Sequence, residues 1–166
     1  MAFNENGRYK LEASAPVAKF GEVINRMKFS ALTIILVLAL AYTMNYSGQT
    51  ISIGQFVASV GGIFALFSPV LGWIGTAVTG SDTSANALFA NLQVTAADRI
   101  GVNPDLMLAA NTAGGVVGKM ISPQSLAIAA TAVNMEGEES RIFKAVVGYS
   151  VAFLAVVCVI AVSYTH

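Results

Sequence analysis

The stretch FSALTIILVLALAYTMNY, residues 29–46, decides the class of fold because it runs for eighteen residues without a charge. At about 1.5 Å per residue, a helix of this length nearly crosses the roughly 30 Å hydrocarbon core of a bilayer. The rest of the chain has the same character: 55% of its 166 residues are hydrophobic and only 11% are charged, with a mean hydropathy of +0.69. The sequence therefore predicts an all-α, polytopic integral membrane protein.

Charge and side-chain chemistry exclude several classes of function. The formal net charge is zero, whereas binding nucleic acid requires a basic face that contacts many phosphates. The only cysteine, Cys158, lies in an apolar run, and the only histidine, His166, is the last residue. A disulfide, a zinc site and a thiolate–imidazole pair are therefore not expected, and neither is an organic cofactor.

The first 28 residues mix acidic and basic side chains and contain no apolar core, so they do not resemble a secretory signal peptide. We interpret residues 1–28 as a polar leader and residues 29–166 as the transmembrane domain. Arg26 and Lys28 precede the first span, and the linker after it, residues 47–53, is uncharged. The positive-inside rule therefore places the leader in the cytoplasm.

The second apolar stretch, residues 56–78, contains several glycines and Ser68-Pro69, and we expect it to kink or break near Pro69. A serine before a proline is a favoured helix start, so Ser68 is the expected cap of a new half-helix. Residues 80–86 read as a polar loop. Residues 87–97 are too short to span alone, and we interpret them as the return limb of a re-entrant hairpin or as a half-helix.

The same start signal occurs twice more, at Asn103-Pro104 and at Ser122-Pro123. It predicts two half-length helices that meet at Ser122. A charged loop, residues 134–144, then leads to a final span, residues 143–162. The glycines between the two starts fit two roles, which are approach of the backbone to a substrate and close packing of helices in lipid; they are Gly114, Gly115 and Gly118.

Broken helices point to a binding site for an anion. The start of a helix leaves up to four N–H groups without intrahelical partners, and its dipole, equivalent to roughly half a positive charge, suits a carboxylate. Secondary carriers place such helix breaks around their substrates. The nearby hydroxyl and amide side chains add hydrogen-bonding groups of the kind a small hydroxy acid needs; they are Ser81, Thr83, Ser84, Asn86, Asn111, Ser122, Gln124 and Ser125.

Two charged residues near these breaks each have two interpretations. Asp82 fits a proton-coupling carboxylate, because an ionisable group at membrane depth is functional by default, but it also fits a helix N-cap in a surface loop. Lys119 fits an ammonium group that offsets a bound carboxylate or pairs with Asp82. Its other interpretation is a side chain that extends to the membrane interface.

Two segments, TGSDTSANALFANLQ at 79–93 and AANTAGGVVGKMISPQSLAIA at 109–129, closely resemble the L-lactate permease family of bacterial carriers. The resemblance implies uptake of lactate, with glycolate as a second substrate, by proton symport across the cytoplasmic membrane through a multi-pass protein. It covers nearly all of this chain but about the last third of a family member. The expected partners are therefore the missing N-terminal part of an inverted-repeat carrier or further copies of this chain.

Other classes of function remain open from the sequence. Ser122 and Lys119 have the spacing of a serine–lysine dyad, but no second catalytic element accompanies them, so an enzyme is not expected. A channel needs identical polar faces around a pore, whereas the polar residues here cluster at helix breaks. A membrane assembly subunit that transports nothing, or an inactive truncated remnant, is the alternative to a carrier.

Overall fold

The computed structural model describes residues 15–59, 61–135 and 137–165. Every regular element in these ranges is helical, which confirms the all-α prediction. The α-helices are, in chain order, α1 (Ala15–Tyr46), α2 (Gln49–Ala58), α3 (Phe64–Thr79), α4 (Asp82–Ile100), α5 (Pro104–Lys119), α6 (Pro123–Ala132) and α7 (Glu139–Thr165), with a single 3-10 turn at Gly61–Ile63 before α3. The chain divides into two compact units, residues 1–35 and residues 36–166.

The described part of the first unit is the beginning of α1. The helix begins at Ala15, inside the predicted polar leader, and the ammonium of Lys19 lies 2.6 Å from the carboxylate of Glu22, one helical turn away. The helix continues past residue 28 without interruption, so no helix end marks the predicted boundary. Residues 1–14 of the leader lie outside the described ranges, and its cytoplasmic location stays a prediction.

The second unit is built around α3. This helix packs along α5, α4 contacts both of them, α7 lies against α3 and α5, and α2 packs on α4. The buried apolar cluster at the centre draws on α3, α4 and α5, and consists of Phe64, Ala65, Leu92, Ala96, Ala97 and Met107.

Glycines bring α3 and α5 into close contact. A Cβ atom added to Gly114 would overlap the backbone carbonyl of Pro69, and one added to Gly118 would overlap that of Trp73. The two glycines are four residues apart, which is the spacing of small residues that lets helix backbones approach closely in lipid. For Gly114 and Gly118, the structure shows close packing of helices, which is one of the two roles considered from the sequence.

The expected break near Pro69 is wrong. Helix α3 runs through Pro69, whereas α2 ends at Ala58 and the 3-10 turn before α3 begins at Gly61, which has a φ of +67°. Ser68 does not cap a helix, because its hydroxyl donates to the carbonyl oxygen of Met107 on α5 at 2.9 Å. A proline inside a helix is tolerated where neighbouring helices pack against the freed backbone, and α5 packs against α3 at this position.

The polar loop predicted at residues 80–86 is wrong, and so are the bounds predicted for the short segment at residues 87–97. A single 19-residue helix, α4, begins at Asp82, and only Gly80 and Ser81 separate it from α3. The side chain of Ser81 caps α4 by accepting a hydrogen bond from the Ser84 N–H at 3.3 Å. Asp82 lies in the first turn, where a carboxylate complements the helix dipole. The polar residues that suggested a loop therefore form a helix start.

The two later helix starts are confirmed. The Asn103 side chain accepts a hydrogen bond from the Asp105 N–H at 2.9 Å, and the Ser122 hydroxyl accepts one from the Ser125 N–H at 3.4 Å. Helix α5 continues through its glycines to Lys119, and α6 starts at Pro123. The prediction of two half-length helices that meet at Ser122 is correct.

Two helical stretches among the described residues are long and apolar enough to cross a membrane, namely Gly61–Thr79 and Glu139–Thr165. The second contains the predicted final span. A shorter apolar helix covers Ile35–Tyr46 and belongs to the predicted first span. Along α7, large apolar side chains such as Phe153 and Val159 are exposed, as expected of a surface that faces lipid.

Candidate functional site

The break between α3 and α4 lies against the break between α5 and α6. The ammonium group of Lys119, at the end of α5, donates to the backbone carbonyl of Gly80 and, at 3.2 Å, to Oε1 of Gln124 in the first turn of α6. Gly80 ends α3 with a φ of +70°, a conformation that favours glycine. A Cβ there would also lie 2.9 Å from the Gln124 side chain. Lys119 therefore links two helix breaks that are 39 residues apart in sequence.

The start of α6 adds two hydroxyl groups beside Lys119. The Ser122 hydroxyl donates to the backbone carbonyl of Lys119 at 3.0 Å and lies 3.1 Å from the hydroxyl of Ser125. Ser122 is completely buried. Its hydroxyl binds the carbonyl of Lys119, and the ammonium is directed to Gly80 and Gln124, so the serine–lysine dyad considered from the sequence is not formed. We call Gly80, Ser81, Lys119, Ser122, Gln124 and Ser125 the tip cluster.

Asp82 follows the tip cluster directly but faces a different set of partners. Its Oδ2 accepts a hydrogen bond from the Asn86 amide at 3.1 Å, and its Oδ1 lies 3.5 Å from the Thr76 hydroxyl. A Cβ on Gly115 would overlap Oδ1 of Asp82, so the absence of a side chain there leaves room for the carboxylate. Ser81 is the N-cap of α4, which removes that interpretation for Asp82.

A chain of amides connects Asp82 to the interior. The Asn111 amide donates to Oδ1 of Asn86 at 2.8 Å, and Gln93 Nε2 donates to Oδ1 of Asn111 at 3.1 Å. The Thr112 hydroxyl also donates to Asn86, at 3.2 Å. Asn111 and Gln93 are completely buried. We call Asn86, Asn111 and Gln93 the amide chain.

Eight of the ten residues predicted as a site fall into two neighbouring groups. Five belong to the tip cluster, and Asp82, Asn86 and Asn111 lie together beside it. Ser84 is buried, and its backbone N–H binds the Ser81 side chain. Thr83 is exposed on α4, so the structure does not bring it to either group.

Sequence reasoning did not identify Thr76 and Gln93 as polar side chains of the site. Gln93 has a signal in the sequence: positions 82, 86 and 93 are four and seven residues apart, so they share one face of a helix. This shared face can be recognised in the sequence only if the helix is taken to begin at Asp82. Thr76 has no comparable signal, because its role depends on the packing of α3 against the start of α4.

Comparison with known proteins gives the family. The family model described as L-lactate permease matches residues 6–166. The chain is 50% identical over 151 residues to an L-lactate permease of Salmonella typhi, covering 91% of this chain and 27% of that protein. It is 47% identical over 147 residues to an L-lactate permease of Bacillus subtilis (strain 168), covering 89% and 26%.

A third relative is the glycolate permease of Escherichia coli (strain K12), which is 47% identical over 144 residues, covering 87% of this chain and 26% of that protein. No solved structure matches the chain. The chain spans about a quarter of the length of the curated relatives it matches. The matched family consists of permeases, which are membrane transporters and not enzymes. The family model covers nearly the whole sequence, and the chain therefore belongs to the L-lactate permease family.

Proposed function

We propose that this chain forms part of a multi-pass carrier that moves L-lactate, and also glycolate, together with a proton across the cytoplasmic membrane. The observation that carries the proposal is the meeting of two helix breaks at Lys119. Relatives described as L-lactate and glycolate permeases support these two substrates. Because the chain matches about a quarter of each relative, the working carrier is expected to include further helices or further copies of this chain.

Lys119 is the residue proposed to bind the substrate carboxylate. An ammonium group has three donors, and Gly80 and Gln124 take two of them. The third donor is available to an anion at the tips of the helices. The Gln124 amide lies beside the ammonium group, and we propose that it supplies hydrogen bonds for a 2-hydroxy acid together with the Ser125 hydroxyl at the start of α6. A free carboxylate in a site of low dielectric constant costs several kcal/mol unless it is paired.

Asp82 is the residue proposed to carry the proton. It is two residues from Gly80, whose carbonyl binds Lys119, so the substrate site and the carboxylate share one short segment of chain. Protonation removes the charge of Asp82, and lactate binding neutralises that of Lys119. Each event lowers the free energy needed to close the loaded site off from water and open it to the other side of the membrane. Proton flux and lactate flux are thereby coupled in an alternating-access cycle.

The first experiment measures uptake of labelled L-lactate by proteoliposomes under a proton gradient. The chain alone is compared with a chimera of the Salmonella typhi L-lactate permease in which residues 6–166 of this chain replace the matching segment. Uptake by either preparation that collapses with the proton gradient supports the proposal. If neither transports lactate and the chimera is folded, the chain is better described as an assembly subunit or an inactive remnant.

Two substitutions in the chimera assign the roles. We expect Lys119→Met to raise the KM for lactate by roughly tenfold or more, since a hydrogen bond to a charged group contributes about 1.5–3 kcal/mol. The control is Lys144→Met, because Lys144 is an exposed residue of α7. We expect Asp82→Asn to lower the ratio of proton-driven uptake to lactate–lactate exchange, with the exposed Asp98→Asn as its control. An unchanged ratio in Asp82→Asn would remove the coupling role.

A further inference from the structure

The two oxygens of the Asp82 carboxylate have different surroundings. Oδ2 accepts a hydrogen bond of ordinary length, 3.1 Å, from the Asn86 amide. Oδ1 lies 3.5 Å from the Thr76 hydroxyl, which is longer than an ordinary O–H···O bond. Gly115 leaves the space beside Oδ1 free of a side chain. One oxygen is therefore firmly held, and the other has a loose contact with a group that can both donate and accept.

The direction of the amide chain is fixed at its far end by a backbone carbonyl. Gln93 Nε2 lies 3.4 Å from the carbonyl oxygen of Ser68 and 3.1 Å from Oδ1 of Asn111. A carbonyl only accepts, so Gln93 must present its NH2 group there; turning the amide over would place oxygen against oxygen. Asn111 must then present its NH2 group to Asn86, and Asn86 must present its own to Asp82.

This arrangement leaves a polar atom unsatisfied. Oε1 of Gln93 is the one buried side-chain nitrogen or oxygen, among the residues that the structure describes, without a hydrogen-bond partner. An unsatisfied buried acceptor costs about 1–3 kcal/mol. Turning the Gln93 amide over would leave its NH2 group unpartnered at the same position and would place Oε1 against the Ser68 carbonyl, so the direction seen here is the more favourable of the two.

We propose that the coupling proton binds to Oδ1 of Asp82 and that the protonated carboxyl donates to the Thr76 hydroxyl, while the amide chain holds Oδ2 as a permanent acceptor. The proton comes from the aqueous phase and no other bond is made or broken. The hydroxyl proton of Thr76 turns to the carbonyl four residues earlier, as hydroxyls in helices commonly do and as Thr79 does to Gly75 here. This inference rests on the coupling role proposed for Asp82 and names the atom and partners through which it acts.

The charged groups around Asp82 are few. Of the helices that pack most closely on α4, α2 and α3 carry no ionisable side chain, and α5 carries Asp105 and Lys119. Helix α1 also contacts α4, where the Asn91 amide donates to Asn45, and its charged side chains all lie at or before residue 28. Asp105 is exposed in the first turn of α5, at the opposite end from Lys119. The other charges of α4, Asp98 and Arg99, are exposed in its last turns. Lys119 is therefore the charged side chain nearest along these helices to the start of α4.

The first test compares Thr76→Val, Thr76→Ser and Thr95→Val in the chimera. Valine keeps the shape of threonine and removes the hydroxyl; Thr95 is a control because its hydroxyl binds the carbonyl of Asn91 on its own helix. We expect Thr76→Val to lower the ratio of proton-driven uptake to lactate–lactate exchange by roughly tenfold. We expect Thr76→Ser to restore most of it and Thr95→Val to leave it unchanged. A ratio in Thr76→Val equal to that of the unsubstituted chimera would overturn the inference.

A second measurement does not depend on transport. Solid-state NMR of the labelled chain in lipid follows Asp82 Cγ, Thr76 Cβ and the Asn86 side-chain nitrogen as the pH is lowered, with the exposed Gln55 as a reference. We expect the Thr76 and Asp82 signals to move together and the Asn86 nitrogen to keep its contact with Asp82. A Thr76 signal that stays fixed, or loss of the Asn86 contact on acidification, would show that Oδ1 is not the atom that takes the proton.

The two experiments separate this inference from the proposed function. If Asp82→Asn lowers the coupling ratio and Thr76→Val does not, Asp82 carries the proton without Thr76, and only the further inference fails. If Asp82→Asn leaves the ratio unchanged, the proposed coupling role fails. The NMR signals then still report which oxygen of Asp82 takes a proton.

Discussion

The contact between α3 and α5 allows a quantitative test of the packing. Gly114→Ala adds a Cβ that overlaps the carbonyl of Pro69, an atom of the backbone that cannot move without shifting α3. Gly148→Ala adds the same methyl group to α7, where nothing lies within 4 Å of the new Cβ. The two substitutions therefore make the same chemical change and differ only in the space available to the new methyl group.

The expected magnitude follows from the difference between the two sites. Replacing glycine by alanine within a helix contributes about 0.5–1 kcal/mol of stability at either position, so this gain cancels in the comparison. Overpacking costs about 1–3 kcal/mol, and the upper part of that range applies because the neighbour is backbone. A chain of about 150–250 residues loses about 2–4 °C in Tm per kcal/mol. Gly114→Ala is therefore expected to unfold about 4–12 °C below Gly148→Ala.

Thermal unfolding of the purified chain in detergent micelles, followed by circular dichroism at 222 nm, measures this difference. Gly118→Ala, which meets the Trp73 carbonyl in the same way, should behave like Gly114→Ala. Equal unfolding temperatures for Gly114→Ala and Gly148→Ala would refute the close contact of α3 with α5, and with it the geometry on which the site depends.

Two further substitutions test neighbouring contacts. Gly115→Ala places its Cβ against the Asp82 and Thr76 side chains. Because side chains yield more readily than backbone, it should lower Tm less than Gly114→Ala, yet lower proton-driven lactate uptake by the chimera; unchanged uptake would contradict the position of Asp82. Ser150→Ala removes the acceptor of the Trp73 indole N–H, now 2.9 Å away, and should destabilise the chain by about 1–3 kcal/mol. Trp73 is the only tryptophan, so its fluorescence reports the change, with the exposed Ser163→Ala as the control.

The helix starts that were predicted correctly have local signals. Asn103-Pro104 and Ser122-Pro123 combine a capping side chain with a residue whose φ is already helical, and the bond that each cap makes lies within three residues. Ser68-Pro69 also combines a capping residue with a proline, but no helix starts there. The Ser68 hydroxyl donates to the backbone carbonyl of Met107, and α5 packs against the backbone of Pro69. The correct and the wrong predictions differ only in tertiary contacts, and a two-residue sequence pattern carries no information about those.

The candidate site shows the same division. Composition and helix breaks indicated the residue types that meet at the tips, and the structure brings Lys119 to Gly80 and Gln124. The error over residues 80–97 came from reading a run of small polar residues as a loop, although Ser81 and Asp82 are an ordinary cap and first turn. Because residues 82–86 were assigned to a loop and not to α4, the spacing of Asp82, Asn86 and Gln93 along one face of a helix could not be recognised.

The residues of α5 that pack against α3 and those that belong to the candidate site lie on the same face of the helix. This limits how a carrier built from these helices can move. Asn111, Gly114, Gly115 and Gly118 are spaced three, one and three residues apart and so lie along one stripe of the helix. The first belongs to the amide chain, the third makes room for Asp82, and the other two contact the backbone of α3.

Sliding α3 along α5 would therefore disturb the carboxylate and the packing together. In lipid there is no hydrophobic drive to close the helices again, so small-residue packing and interhelical hydrogen bonds must hold them. We expect α3, α4 and α5 to move as one body during transport, with the changes in backbone angle absorbed at the break around Gly61 and at the break before Ser122. Spin-label distances between α3 and α5 that stay constant with and without lactate, while distances from α5 to α6 change, would fit this expectation; a change between α3 and α5 would contradict it.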